Sequence, residues 1–152
     1  MITPQLLNPQ SIVVVGGSND IHKPGGKVLK NLIDGGFAGT LAVLNPKEDE
    51  VQGIRSYPEP TDMPQMDLAV IAIAAKYTLP VVKMLVEEKG TRGFIILSAG
   101  YSEESDEGRE LERKVVDVIE RVGGSLIGPN CVGIMTPQHN SVLTEPIPKL
   151  DP

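Results

Sequence analysis

Five short runs, at residues 12–15, 41–44, 68–73, 94–97 and 125–127, are built almost wholly from aliphatic residues, and no polar residue alternates along them. A strand with one wet face alternates apolar with polar side chains, so runs without alternation read as strands that are dry on both faces. A sheet buried on both sides needs a covering layer on each, and the intervening spans have helical spacing. The first helix carries an inner stripe of Val28, Leu29, Leu32 and Ile33 and is stopped by Gly35-Gly36. The second places Val81, Val82, Leu85 and Val86 on one face, with Pro80 expected in its first turn and Gly90 at its end. A third is expected over about 105–122, with Leu111, Val115, Val118, Ile119 and Val122 facing inward and Gly123-Gly124 ending it; Gly108 weakens its first turn.

This alternation predicts an α/β fold: a Rossmann-like doubly wound, mainly parallel sheet of about five strands with helices on both faces. Residues 47–67 hold three prolines and lack a clear apolar period, so a loop is expected there, with at most a short strand or helix turn. Beyond Gly133 the pattern decays into Pro137, Pro146, Pro148 and Pro152. A domain spanning 1–137 is therefore expected, with 138–152 a Pro-rich linker or the truncated start of a next domain.

Composition removes several function classes. At 152 residues and 40% hydrophobic, the chain suits one domain, and with 3% aromatic residues and no Trp its core must be aliphatic. Fourteen basic against twenty acidic residues leave a net charge of −6, which offers no footprint for a phosphate backbone, so no nucleic-acid partner is expected. The single cysteine cannot form an internal disulfide, which suits a reducing compartment. With neither a secretory pattern at the N-terminus nor an apolar stretch of membrane-spanning length, a soluble cytoplasmic protein without a membrane partner is expected.

Ligands of a doubly wound sheet bind at the carboxyl ends of the strands, so those ends carry the functional reading. The first run leads into Gly16-Gly17-Ser18-Asn19 and the last into Gly128-Pro129-Asn130-Cys131-Val132-Gly133. Glycine lets backbone N–H groups approach a ligand, and a helix N-terminus that follows favours an anionic oxygen. The first turn fails the G-x-G-x-x-G spacing of dinucleotide binding, which argues against NAD. The second strand ends Asn45-Pro46-Lys47, with a lysine where an NAD-binding sheet places a carboxylate for the ribose hydroxyls. Lys47 is either a solvated loop residue or the partner of a phosphorylated ribose, which leaves NADP and coenzyme A open. The third strand ends Ile71-Ala72-Ile73-Ala74-Ala75, a small-residue wall for a planar ring or for helix packing, and the fourth leads into Ser98-Ala99-Gly100-Tyr101. Such endings in register imply a crevice for an extended ligand.

Together, Asn45-Pro46-Lys47, Ser98-Ala99-Gly100-Tyr101-Ser102-Glu103 and Gly128-Pro129-Asn130-Cys131-Val132-Gly133 resemble the CoA-binding domain of NDP-forming acyl-CoA synthetases. That group includes the ADP-forming acetate–CoA ligases and, at greater distance, succinyl-CoA synthetase α subunits. The resemblance runs from about residue 7 to about residue 137. It implies coenzyme A or acyl-CoA as ligand, with the 3′-phosphate near the first turn and Lys47 and the thiol arm reaching toward Asn130 and Cys131. The binding residues it implies are Gly17, Ser18, Asn19, Asn45, Pro46, Lys47, Ala74, Ala75, Ser98, Ala99, Gly100, Asn130 and Cys131. It further implies ligase and ATP-grasp domains, in the same enzyme or a partner subunit, that join a carboxylic acid to CoA at the expense of a nucleoside triphosphate. The phosphorylated histidine of that chemistry belongs to a following domain, so this chain is expected to bind without catalysing. A freestanding CoA-binding regulatory protein and an NADP-dependent oxidoreductase domain are the alternatives.

The remaining reactive residues receive plainer readings. His22 in the first turn and His139 in the terminal segment are expected at the surface, with a phosphate contact as the alternative for His22. Cys131 follows a glycine-rich turn of the kind that lowers a thiol pKa, but no histidine is placed beside it by the sequence, and packing at the pantetheine end is the reading kept. The cluster Glu103-Glu104-Ser105-Asp106-Glu107 is read as acid stabilising a helix N-terminus, not as a metal site.

Overall fold

The computed structural model describes residues 4–97, 106–128, 133–135 and 139–142. A short helix α1 (Pro4–Leu7) precedes β1 (Ser11–Val15), α2 (Pro24–Asp34) and β2 (Thr40–Leu44). The hairpin β3 (Glu50–Val51) and β4 (Ile54–Tyr57) follows, then a 3-10 turn (Pro60–Asp62), β5 (Leu68–Ile71), α3 (Ala75–Lys89) and β6 (Gly93–Ile96). The chain continues through α4 (Asp106–Arg121) and β7 (Ser125–Ile127) to a separate hairpin of β8 (Gly133–Met135) and β9 (Asn140–Val142). The main sheet has seven strands in the order β3-β4-β2-β1-β5-β6-β7 and is parallel except for β3 against β4. The strand order reverses between β1 and β5, which is where such sheets open a crevice.

Strand periodicity divides the core into two layers. In β1, Ile12 and Val14 share one cluster with Val28, Leu29 and Leu32 of α2, whereas Val13 and Val15 join Val82 and Leu85 of α3 and Val115 and Ile119 of α4. The same parity holds in β5, where Leu68 and Val70 take the α2 side and Ala69 and Ile71 the opposite one. All eight of these strand residues are at most 2% exposed, as runs without polar alternation require. At roughly 1.5–3 kcal/mol for each large aliphatic side chain buried, the two layers supply the main driving force for the fold. The outer face of α4 is solvated and laced with i,i+3 and i,i+4 ion pairs such as Arg113–Glu110 and Arg121–Asp117, which solvent screens. Among the described residues no helix is long and apolar enough to cross a membrane.

Four local expectations change. The span read as a loop, 47–67, contributes two strands of the main sheet. Its pairing is brief, Ser56 and Tyr57 against Val43 and Leu44, and its side chains lack the aliphatic run by which buried strands are recognised. Pro80 lies beyond the first turn of α3, because the helix begins at Ala75 and uses the small residues of the strand end as its N-terminus. Pro80 is exposed and leaves one hydrogen bond of the helix unmade. The pattern decay after Gly133 conceals a pair of strands, β8 against β9, and β9 packs on α2.

The fourth change is His139, expected at the surface and found fully buried. Its Nε2 lies 2.9 Å from the Leu6 carbonyl oxygen and its Nδ1 lies 2.8 Å from Ser141 Oγ. A carbonyl only accepts, so Nε2 donates to Leu6, and Nδ1 pairs with the Ser141 hydroxyl, which can serve as either donor or acceptor. The ring thus latches β9 to α1 across 133 residues of sequence, a contact with no local signature. Replacing it with alanine strands two buried polar groups, and His139→Ala is expected to cost about 2 kcal/mol, or about 4–8 °C in thermal midpoint. A scanning-calorimetry midpoint equal to wild type would show that the latch contributes nothing.

Candidate functional site

Four strand tips stand level with one another. Val15 pairs with Leu44 on one side and Ile71 on the other, and Ile71 pairs with Ile96. The ladder runs on by one bond at each tip, from Gly16 N–H to Leu44 O at 3.0 Å, from Ala72 N–H to Val15 O at 2.9 Å and from Leu97 N–H to Ile71 O at 3.0 Å. The chain therefore leaves the sheet at one height. The loops after β1 and β2 enclose an open depression of about 280 Å³ lined by Gly16, Gly17, Ser18, Lys23, Leu44, Asn45, Pro46, Lys47 and Ile73.

Gly16 makes the sharp exit from β1 possible. Its φ is +87°, and a Cβ there would lie 2.8 Å from the Ala72 carbonyl oxygen, so both conformation and space demand glycine. Ser18 Oγ accepts the Asp20 N–H at 3.0 Å, and Asp20 Oδ1 accepts the His22 N–H at 3.0 Å, giving two successive side-chain turns that carry the loop to α2. Among the described residues, the Ser18 and Asn19 backbone N–H groups have no hydrogen-bond partner. Lys23 precedes Pro24 at the start of α2, which puts a cation beside a helix N-terminus at the edge of the depression.

Asn45 ties the two loops together. Its Nδ2 donates to the Gly17 carbonyl at 2.9 Å, its Oδ1 accepts the Lys47 N–H at 2.9 Å, and its own carbonyl accepts from Ser56 Oγ at 3.1 Å. Lys47, on an exposed turn, lines the same depression as Lys23. Two cations and unpartnered N–H groups around an open hollow can hold anionic oxygens. Among the described residues that line it there is no His, Cys, Asp or Glu, so the hollow is equipped to bind and carries no acid, base or nucleophile of that kind.

Of the residues singled out from the sequence, Gly17, Ser18, Asn45, Pro46 and Lys47 meet in this depression. Asn19 turns its side-chain Oδ1 to the backbone N–H of Gln52, at 2.8 Å. Ala74 is exposed ahead of α3, and Ala75 is buried in the layer beneath α3 and α4; the side chain that reaches the depression from this strand end is Ile73. Ser98, Ala99, Gly100, Asn130 and Cys131 lie outside the described residues, as do Glu103, Glu104 and Ser105, while Asp106 and Glu107 occupy the first turn of α4. His22 is exposed. Sequence reasoning missed Lys23, although a basic residue directly before a helix-opening proline was a usable signal. It also missed Gln52, for which no signal existed while its hairpin was hidden.

Residues 10–137 match the family model described as CoA binding domain. The chain is 35% identical over 138 residues to acetate–CoA ligase [ADP-forming] II of Archaeoglobus fulgidus, covering 90% of this chain and 20% of that protein. It is 40% identical over 136 residues to the α subunit of acetate–CoA ligase [ADP-forming] II of Pyrococcus furiosus, covering 88% of this chain and 29% of the relative. The chain thus spans less than a third of either curated relative. Its fold superposes on the apo structure of the dinucleotide-forming acetyl-coenzyme A synthetase 1 of Ca. Korarchaeum cryptofilum with a TM-score of 0.85 at 31% identity, covering 93% of this chain and 31% of that one.

Proposed function

The chain belongs to the CoA binding domain family, as a CoA-binding module homologous to NDP-forming acyl-CoA synthetases, and from that premise we propose that the depression at the tips of β1 and β2 receives the phosphorylated ribose of coenzyme A. One observation carries the placement: Lys23 and Lys47, remote in sequence, border the same hollow as the glycine turn, in which the Ser18 and Asn19 N–H groups lack partners among the described residues. Arrival of the phosphate oxygens gives those N–H groups acceptors and neutralises both cations. From there the ligand runs over the small residues at the end of β5, past Ile73. Its thiol arm is assigned to Ser98, Ala99, Gly100, Asn130 and Cys131 on the strength of the family resemblance.

In this reading CoA is a co-substrate that the module positions, and the chemistry lies in ligase and ATP-grasp domains or subunits of a cytoplasmic enzyme. That enzyme would join a carboxylic acid and CoA at the expense of a nucleoside triphosphate. Holding the thiol in one place turns its attack on an acyl phosphate into an effectively unimolecular step. The test is calorimetric titration of the isolated chain with CoA and, side by side, with NADPH. Saturable binding of CoA and none of NADPH is expected; binding of NADPH without CoA would refute the proposal.

A further inference from the structure

The connection between β3 and β4 is two residues long, because Glu50 pairs with Arg55 and Val51 with Ile54. Both of its residues have positive φ, 50° at Gln52 and 81° at Gly53. Two-residue hairpins of this kind favour Asn or Asp ahead of the glycine, since short polar side chains tolerate the left-handed region. Gln52 is the one non-glycine with positive φ among the described residues, and nothing in the turn itself calls for its longer side chain.

The side chain leaves the hairpin and crosses to the loop after β1. Its Nε2 donates to the Ser18 carbonyl at 2.8 Å and to the Gly26 carbonyl at 3.0 Å, and its backbone N–H donates to Asn19 Oδ1 at 2.8 Å. Both Nε2 contacts are to acceptors, so the amide orientation is unambiguous and both its hydrogens are engaged. One residue thus grips the loop at its start, at Ser18 and Asn19, and again at the first turn of α2. Those are the two ends of the segment that holds the unpartnered N–H groups and Lys23.

We propose that Gln52 is a positioning residue for this loop, a strained hairpin residue whose amide preorganises the anion-binding segment 18–26 for its ligand. In naming CoA as that ligand the inference rests on the reading above, whereas the order of the loop does not depend on it. Gly or Asn at position 52 relieves the backbone and loses the clamp, Asn because it is one methylene short. Glu keeps the length but sets a carboxylate against two carbonyl oxygens.

The experiment compares Gln52→Gly, Gln52→Asn and Gln52→Glu with wild type by thermal unfolding, amide hydrogen exchange without ligand, and CoA calorimetry. Gly and Asn are expected to leave the thermal midpoint near wild type, because relief of the left-handed backbone offsets the lost bonds, to speed exchange across residues 16–23 about tenfold while β1 and β5 stay protected, and to raise the Kd for CoA about tenfold, as the cost of ordering roughly one more residue on binding implies. Glu is expected to lose at least as much affinity. Wild-type exchange at 16–23 together with wild-type affinity would overturn the inference, as would a lowered midpoint with faster exchange throughout the sheet, the mark of a merely structural residue. If wild type fails to bind CoA while loop exchange still accelerates in the variants, the positioning role stands and the ligand assignment falls.

Discussion

Gly25→Ala is expected to lower the thermal midpoint by about 6–12 °C and, where the chain is still folded, to abolish measurable CoA binding. A Cβ at position 25 would be driven into the Gly16 carbonyl group and would lie 3.2 Å from Gly17 Cα, so the three atoms nearest to it are all backbone. No side chain can swing aside, and relief requires α2 to back away from the loop. Overpacking of this kind costs about 3 kcal/mol, the upper end of the usual range. The opposing gain in helix propensity is at most about 1 kcal/mol and is smaller in a first turn. The steric term therefore wins. Gly36→Ala is the control: nothing lies within 4 Å of its Cβ, and its φ of +71° limits the penalty to about 1–2 kcal/mol without touching the site. A midpoint for Gly25→Ala at or above wild type would mean that α2 does not press on the β1 exit.

The paired variant Lys23→Ala/Lys47→Ala is expected to weaken CoA binding about a hundredfold, 3′-dephospho-CoA at most about tenfold, and to leave the thermal midpoint unchanged. Both lysines are exposed, so each charge-assisted contact is taken at the low end of its range, about 1.4 kcal/mol or tenfold. The two ligands differ only in the ribose phosphate, so the difference between them isolates it. Screening makes the loss shrink as salt rises, because the Debye length falls from about 10 Å at 0.1 M to about 3 Å at 1 M. Calorimetry with both ligands at two salt concentrations reads all of this. Equal losses for CoA and 3′-dephospho-CoA would remove the lysines from the phosphate and leave them as general attraction for an anion.

These experiments converge on a loop whose shape has three separate supports. Gly16 and Gly25 let backbone pack on backbone, Asn45 bonds the β1 exit to the β2 exit, and Gln52 closes the loop from the hairpin. Such support keeps donors aimed before the ligand arrives, which lowers the ordering cost of binding.

How much of this was legible depended on whether the signal was local. The runs at 12–15 and 68–73 announced strands covered on both faces because Ile12, Val13, Val14 and Val15 left no position for water. The stripes of α2 and α4 were equally readable, since Val28, Leu29 and Leu32, or Val115 and Ile119, recur at helical spacing. Strand β4 was not, because Arg55 and Ser56 interrupt it and only its pairing with β2 and β3 makes it a strand. Glycine and lysine at strand ends pointed to the depression, yet the joining of Lys23 to Lys47 depended on β1 and β2 ending at the same level.

By itself, then, the order of residues determined the layered α/β architecture, the strand ends that border the depression and the kinship to CoA-binding domains, because each follows from side chains a few positions apart or from contiguous motifs. Tertiary structure alone decided that His139 is buried against Leu6, that a hairpin extends the sheet, and that Gln52 holds the loop from 26 to 34 residues away. Those are choices of partner between distant segments. A donor such as the Gln52 amide satisfies the same chemistry with any carbonyl, and only the packed sheet brings Ser18 and Gly26 within its reach.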